Sequence, residues 1–193
     1  MRVFHGFDAL PRFRRPAVTV GSFDGVHLGH RALLERLVGE ARRRNAESVV
    51  LTFEPHPRVT LGRDEGLRLL TTLEEKTALL AASGVDALVV IPFDRSFSTL
   101  SGAEFLDRYL IGKIGAETLV VGYNHRFGHD RADCRKLAEE RGLWLVCVDE
   151  RSVGGEHVSS TVIRNLLACG RQDEAERLAG HALRPGNESN DLP

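Results

Sequence analysis

Residues 17–30 read Ala17-Val18-Thr19-Val20-Gly21-Ser22-Phe23-Asp24-Gly25-Val26-His27-Leu28-Gly29-His30. Four β-favouring residues run into a turn carrying Gly21 and Gly25, and a helical pattern starts at Leu28. Beyond it, Leu33, Leu34, Leu37 and Val38 share one face, with Glu35, Arg36, Glu40, Arg42 and Arg43 on the other. That spacing predicts a helix to about Arg44. The alternation recurs along the chain. Ser48–Phe53, Val85–Ile91, Thr118–Val121 and Leu143–Val148 read as strands. Leu73–Ala82, Ser101 to about Lys113, Cys134–Arg141, Thr161–Ala168 and Gln172–Leu178 read as helices. Near-continuous Val, Leu and Ile strands between amphipathic helices predict an α/β fold, a doubly wound parallel sheet covered on both faces.

The 193 residues suffice for one well-buried core. One domain is expected over 1–183. The Gly, Asn, Ser, Asp and Pro-rich stretch 184–193 is expected to be a disordered tail. With 26 basic against 27 acidic side chains no global basic field exists, which argues against nucleic acid as a partner. Cys134, Cys147 and Cys169 have no ligand spacing, and their odd count fits a reducing compartment. Met1–Pro16 contains no signal-peptide apolar region, and the longest apolar run, Ala87–Phe93, is far shorter than a membrane span. A cytoplasmic protein without a membrane partner is expected.

In such a sheet, ligands sit beyond the carboxyl ends of the strands. The loop 21–30 is neither a Walker A loop nor GxGxxG. It places His27 and His30 three apart in the first turn of a helix, where free N–H groups and the dipole attract anions. Gly29 between them opens the backbone to a ligand. A polyphosphate site and a pair of surface histidines both fit. Zinc fits less well, because no third ligand stands at helical spacing. In Thr52-Phe53-Glu54-Pro55-His56-Pro57 the two prolines fix the direction of His56, or simply stiffen an exit loop. Gly122–Arg131 combines amide, imidazole, guanidinium and aromatic groups, a composition suited to a planar phosphorylated ligand. In Ser159-Ser160-Thr161-Val162-Ile163-Arg164 one serine is a good N-cap, yet Arg164 follows where a carboxylate would be favourable. Together with His27, His30 and Arg31, this gives two helix starts the wrong charge for an empty site and the right one for an anion.

The ordered set GSFDGVHLGH (21–30), TFEPHP (52–57), VGYNHRFG (121–128) and SSTVIR (159–164) resembles the FMN adenylyltransferase (FAD synthetase) module of bacterial bifunctional riboflavin kinase/FAD synthetases. The likeness runs from about Val3 to Leu178 and includes Leu70-Thr71-Thr72 to Lys76 and Phe97–Ser101. HxGH with a late SSTxxR marks the wider HxGH nucleotidyltransferase superfamily, and TFEPHP with RFG marks the flavin branch. This chain has His125 where a phenylalanine is common, and lacks a glycine usually found in 129–133.

The resemblance implies a Rossmann-like fold and the reaction FMN + ATP → FAD + pyrophosphate. It implies that His27, His30 and Arg164 are catalytic. Gly21, Ser22, Phe23, Ser160 and Thr161 would join them in holding ATP. His56, Pro57, Asn124, His125 and Arg126 would contact the flavin, and Mg²⁺ would accompany the phosphates. No kinase module is expected after Leu178, so either FMN would come from a separate riboflavin kinase or the chain would be a fragment of a longer protein. A related transferase with another phosphorylated substrate, and a flavin or nucleotide sensor without turnover, are the competing readings.

Overall fold

The computed structural model describes residues 1–184. Six parallel strands, β1 (Arg2–His5), β2 (Ala17–Val20), β3 (Ser48–Glu54), β4 (Ala87–Pro92), β5 (Thr118–Gly122) and β8 (Trp144–Val148), form one sheet in the order β1-β4-β3-β2-β5-β8. From β2 the chain winds outward through β3 and β4, then returns to place β5 on the other side of β2. The order therefore reverses between β2 and β5, and a crevice opens there at the carboxyl ends.

The strands are buried on both faces, and their alternation decides what each side chain meets. Ala17, Val50, Leu88, Val90 and Val120 face Leu34, Leu37 and Ala41 of α1 (Leu28–Arg43) and Leu80 of α3 (Leu73–Ala82). Val18, Val20, Val49, Leu51, Val89, Ile91, Leu119 and Val121 face Phe105, Leu106, Leu110, Ile114 and Ala138 on the opposite side. Truncating a fully buried residue such as Leu34 or Leu37 to alanine would cost about 2–5 kcal/mol. The helix α1 stops at Arg44, and Asn45 takes the left-handed conformation that ends it (φ 52°).

The expected strands and helices are present with boundaries within about two residues. One differs in kind. The helix expected from Ser101 is α5 (Gly102–Phe105) followed by a π-helix over Leu106–Ile114, closed by left-handed Gly115. Its buried residues 106, 110 and 114 recur every four positions, longer than an α-turn, and the turns are correspondingly wide. The edge strand β1 was not anticipated. Neither were the short helices α2 (Pro57–Thr60) and α4 (Arg95–Ser98), nor the two-residue hairpins β6 (Arg126–Phe127)/β7 (Ala132–Asp133) and β9 (Ser152–Val153)/β10 (Glu156–His157).

The helix α6 (Cys134–Glu140) packs beside β8. The last helices, α7 (Ser160–Ala168) and α8 (Gln172–Ala179), bury Ile163, Leu166, Ala175 and Leu178 with Leu70 in a separate small core. Of the expected tail, residues 185–193 lie outside the described residues, while Arg184 pairs with Glu75 at 2.6 Å. Among the described residues no helix is long and apolar enough to cross a membrane.

Candidate active site

The turn after β2 is held from three distant segments, and Asp24 is its hub. Its carboxylate is 3% exposed. One oxygen, Oδ1, accepts from the backbone N–H groups of Leu70 (2.8 Å) and Thr71 (3.3 Å). The other, Oδ2, accepts from Arg164 Nη1 at 2.7 Å. Gly25 N–H donates to Thr71 Oγ1 (3.0 Å), Ser160 Oγ donates to the Asp24 carbonyl (2.9 Å), and His181 Nε2 lies 2.8 Å from the Gly25 carbonyl. Gly25 has φ 81°, and a Cβ there would meet Leu70 at 2.8 Å, so only glycine fits. Phe23 and Val26 also sit at positive φ (48° and 34°), a strain that these ties sustain.

The expected histidine pair forms at the start of α1. His27 is the N-cap, its Nδ1 accepting from His30 N–H at 3.3 Å, which leaves its proton on Nε2. The two rings stack at 3.7 Å and 16°. Burial, reinforced by His157 and Arg164, pushes the His27 pKa down to about 4. Burial, then His27 and Lys76, holds His30 well below the ordinary range. Both are neutral hydrogen-bonding groups near pH 7. His30 Nδ1 is buried without a partner among the described residues. The space beside Gly29 is taken by the His27 ring: a Cβ would meet it at 3.2 Å and the Val158 carbonyl at 3.5 Å. Glycine here admits the imidazole rather than a ligand.

Arg164 likewise has a partner that sequence could not reveal. Its unfavourable place in α7 is answered in part by Asp24, 140 positions away. Ser159, not Ser160, caps α7, accepting from Val162 N–H at 3.3 Å. Thr161 is exposed at the same end. Gly21 N–H donates to the Leu51 carbonyl (3.1 Å), and the Ser22 carbonyl accepts from Thr52 Oγ1 (3.1 Å), so neither group is free.

After β3, His56 caps α2 with its Nδ1 accepting from Arg58 N–H (3.2 Å) and Pro57 at the first helical position. It is buried, and burial lowers its pKa against the opposing pull of Asp24. Beside it lies a cavity of about 270 Å³ lined by Val20, Pro57, His125, Arg126 and a run of phenylalanines. Phe93 meets Phe53 (5.2 Å) and Phe97 (5.7 Å), and Phe105 meets Phe97 (5.8 Å) and Phe127 (5.6 Å). His125 packs edge-on to Phe127 at 4.9 Å, and burial pushes its pKa down to about 4. Arg126 pairs with Asp133 across the β6/β7 hairpin at 2.9 Å. Asn124 is exposed and does not line the cavity.

The fold thus brings His27, His30, Ser160 and Arg164 around Asp24, and sets the His56–Pro57 corner between them and an aromatic cavity. Sequence reasoning missed the hub role of Asp24 and the parts of Thr71, Lys76, His181 and the phenylalanines. An aspartate inside a glycine turn was the available signal. Among the described residues no group of three or more His, Cys, Asp or Glu could hold a metal ion.

A doubly wound parallel sheet with these motifs at its carboxyl end is the framework of the HxGH nucleotidyltransferases. The sequence signature described as FAD synthetase matches residues 11–162, and the chain belongs to that family. The bifunctional riboflavin kinase/FMN adenylyltransferase of Escherichia coli (strain K12) is 38% identical over 185 residues, covering 94% of this chain and 59% of that protein. The protein so described in Pseudomonas fluorescens is 35% identical over 189 residues, covering 95% and 60%. This chain thus spans about 60% of the length of these relatives. Among solved structures, one described as a macrolide-efflux protein from Streptococcus pneumoniae superimposes with a TM-score of 0.83 at 26% identity, over 94% of this chain and 60% of that one. Pantoate-beta-alanine ligase from Francisella tularensis shares the fold (TM-score 0.56, 13% identity, over 99% and 90%).

Proposed function

We propose that this chain transfers AMP from ATP to FMN, giving FAD and pyrophosphate. The observation that carries the reading is one juxtaposition. An aromatic cavity sized for a planar ring system opens at the carboxyl ends of β2 and β3, through Val20 and Pro57. The chain neighbours of those two residues lead straight to the His27–His30–Arg164 cluster. A flavin ring in the cavity would direct its phosphate past His56 toward that cluster.

The step is an in-line displacement. An oxygen of the FMN phosphate forms a bond to the α-phosphorus of ATP, and the α–β bridging oxygen leaves with pyrophosphate. A phosphomonoester has its second pKa near ~6, so the nucleophile is already mostly dianionic at neutral pH and needs no general base. The engagement of Asp24 with Arg164, Leu70 and Thr71 agrees with that economy. Neutral His27, through Nε2–H, and His30 would donate hydrogen bonds to phosphate oxygens as charge moves to the leaving group, while Arg164 supplies a fixed cation. Mg²⁺ carried on the triphosphate would be held chiefly by phosphate oxygens and would supply charge neutralisation for the leaving pyrophosphate. The aromatic cavity would exclude water from the flavin side and fix the approach of its phosphate.

The test supplies the purified chain with ATP, Mg²⁺ and, in parallel, FMN or other phosphorylated alcohols, and follows products by chromatography. FAD formation from FMN is expected. FMN binding without turnover would favour a sensor, and turnover of another phosphate ester alone would favour a related transferase.

A further inference from the structure

Lys76 is the one buried lysine or arginine among the described residues, 4% exposed. The other buried charges are paired. Asp24 is held by Arg164, and Glu40 by Arg36 and Arg43. The Lys76 ammonium has no hydrogen bond and no ion pair among the described residues; Glu54 and Asp24 act on it only through their fields. Burial of this lysine with no counter-ion in contact disfavours its charged form, at a cost to the fold. A place in a hydrophobic face does not account for it, because a leucine or methionine would serve there without the penalty.

Its position is set by the site. Leu70 and Thr71 are bound to Asp24, Thr72 caps α3, and Lys76 N–H donates to the Thr72 carbonyl at 3.0 Å in the first turn. The side chain therefore starts one turn from the hub. Its charge bears on both His30, in the first turn of α1, and His56, in the turn after β3. Asp24 cannot serve as a full counter-ion, since Arg164 and two N–H groups already occupy its oxygens.

We propose that the Lys76 ammonium is a ligand for phosphate oxygens, placed between the start of α1 and the turn after β3 where a phosphomonoester and a polyphosphate meet. The proposal rests on the adenylyl-transfer reading and adds a second cation to Arg164. As a point charge on a flexible stem, lysine can follow an oxygen as bonding changes, whereas Arg164 is locked to Asp24.

The experiment uses the full chain and its Lys76→Met and Lys76→Arg variants. Calorimetry measures affinity for inorganic pyrophosphate, which stands for the polyphosphate, and for FMN against riboflavin, which isolates the phosphomonoester. Melting is followed without ligand. Lys76→Met is expected to melt at or above wild type and to lose at least tenfold in affinity for pyrophosphate, for FMN or for both, with riboflavin binding unchanged. Lys76→Arg, which keeps the charge, should recover part of the loss. Unchanged affinities for both probes would overturn the proposal and leave the adenylyl-transfer reading standing. A Lys76→Met chain that melts far below wild type or does not fold would make the ammonium a structural counter-ion of Glu54 and also overturn it. A wild-type chain that binds neither pyrophosphate nor FMN would remove both.

Discussion

The helices α3 and α5 begin one way, and α1 and α7 another. In α3, Thr72 Oγ1 accepts from Glu75 N–H (3.2 Å) while Glu75 Oε2 accepts from Thr72 N–H (2.8 Å). In α5, Ser101 and Glu104 repeat the arrangement at 3.2 and 3.0 Å. These capping boxes satisfy the free N–H groups and set a carboxylate against the positive end of the dipole. Neither α1 nor α7 has an acidic residue in its first turn. Their caps are a neutral imidazole and a hydroxyl. The starts of α3 and α5 are electrostatically finished, and the two that meet at Asp24 are left open. An open end costs stability in the free protein and is rewarded only by a bound anion, so the difference marks which helix starts belong to the site.

Breaking the junction between the open helices should have the largest effect. Asp24→Asn leaves Arg164 half-buried without its carboxylate. Losing one partner of a buried pair costs about 3–5 kcal/mol, and the exposed side of Arg164 places this one at the lower end. Chemical denaturation should show a loss near 3 kcal/mol, and a loss below 1 kcal/mol would mean that the two helices are joined by other contacts. His30→Ala should instead lower turnover by ~10²–10³, the effect of removing one donor to developing charge, with little change in melting. Near-normal turnover in the folded variant would take His30 out of the chemistry.

The open start of α1 should also fail first in acid. His27 has its folded pKa pushed from the ordinary 6.5 to about 4 by burial, so below pH 6.5 the unfolded chain binds the proton that the folded chain refuses. A depressed imidazole contributes stability above 6.5, and that contribution is lost as pH falls from 6.5 toward 4. His125 has the same sign and window, while carboxylates such as Asp94 and Glu104, held low by hydrogen bonds, lose theirs only at lower pH. Denaturation midpoints at fixed ionic strength should decline between pH 6.5 and 4. The decline should be shallower in His125→Phe, which keeps the ring and removes one titration; an unchanged slope would mean that His125 is solvated.

Much of this was legible before any coordinates, for a physical reason. The runs Ala17–Val20, Val49–Thr52 and Thr118–Val121 are buried on both faces, and they hold nothing but Val, Leu, Ala and Thr. Edge strand β1 is mostly exposed and so has little pattern to read. The anomaly of Arg164 in a first turn was visible, but its explanation needed Asp24, and pairing across 140 positions leaves no mark in a single sequence. The same holds for the charge state of the histidines. Residue type says that an imidazole titrates near neutrality; only burial says that these do not. The cavity was missed because Phe53, Phe97 and Phe105 lie on three different elements and Phe93 on the loop after β4, each unremarkable alone.

A smaller effect tests the finished helices. Thr72→Ala removes the hydroxyl from the α3 capping box and should cost about 1 kcal/mol with turnover unchanged, since the backbone ties of Leu70 and Thr71 to Asp24 do not involve it. A fall in turnover out of proportion to stability would show that the capped start of α3 takes part in the site and does not merely hold the helix.

The smallest effect is the most discriminating, because its two readouts should move in opposite directions. Thr161 is exposed at the second position of α7, and Thr161→Glu would give this open end the acidic group that α3 and α5 already have. A carboxylate there should stabilise the free protein by about 0.3–1 kcal/mol, a rise of roughly 1–3 °C in melting temperature for a domain of this size. The same charge would repel a phosphate, so added pyrophosphate should raise the melting temperature of the variant less than that of wild type. Thr161→Gln, matched in size and uncharged, should do neither, and high salt should shrink both changes by screening. Stabilisation with undiminished pyrophosphate binding would show that the open end of α7 is not where the anion sits. The comparison between the two kinds of helix start would then describe capping alone.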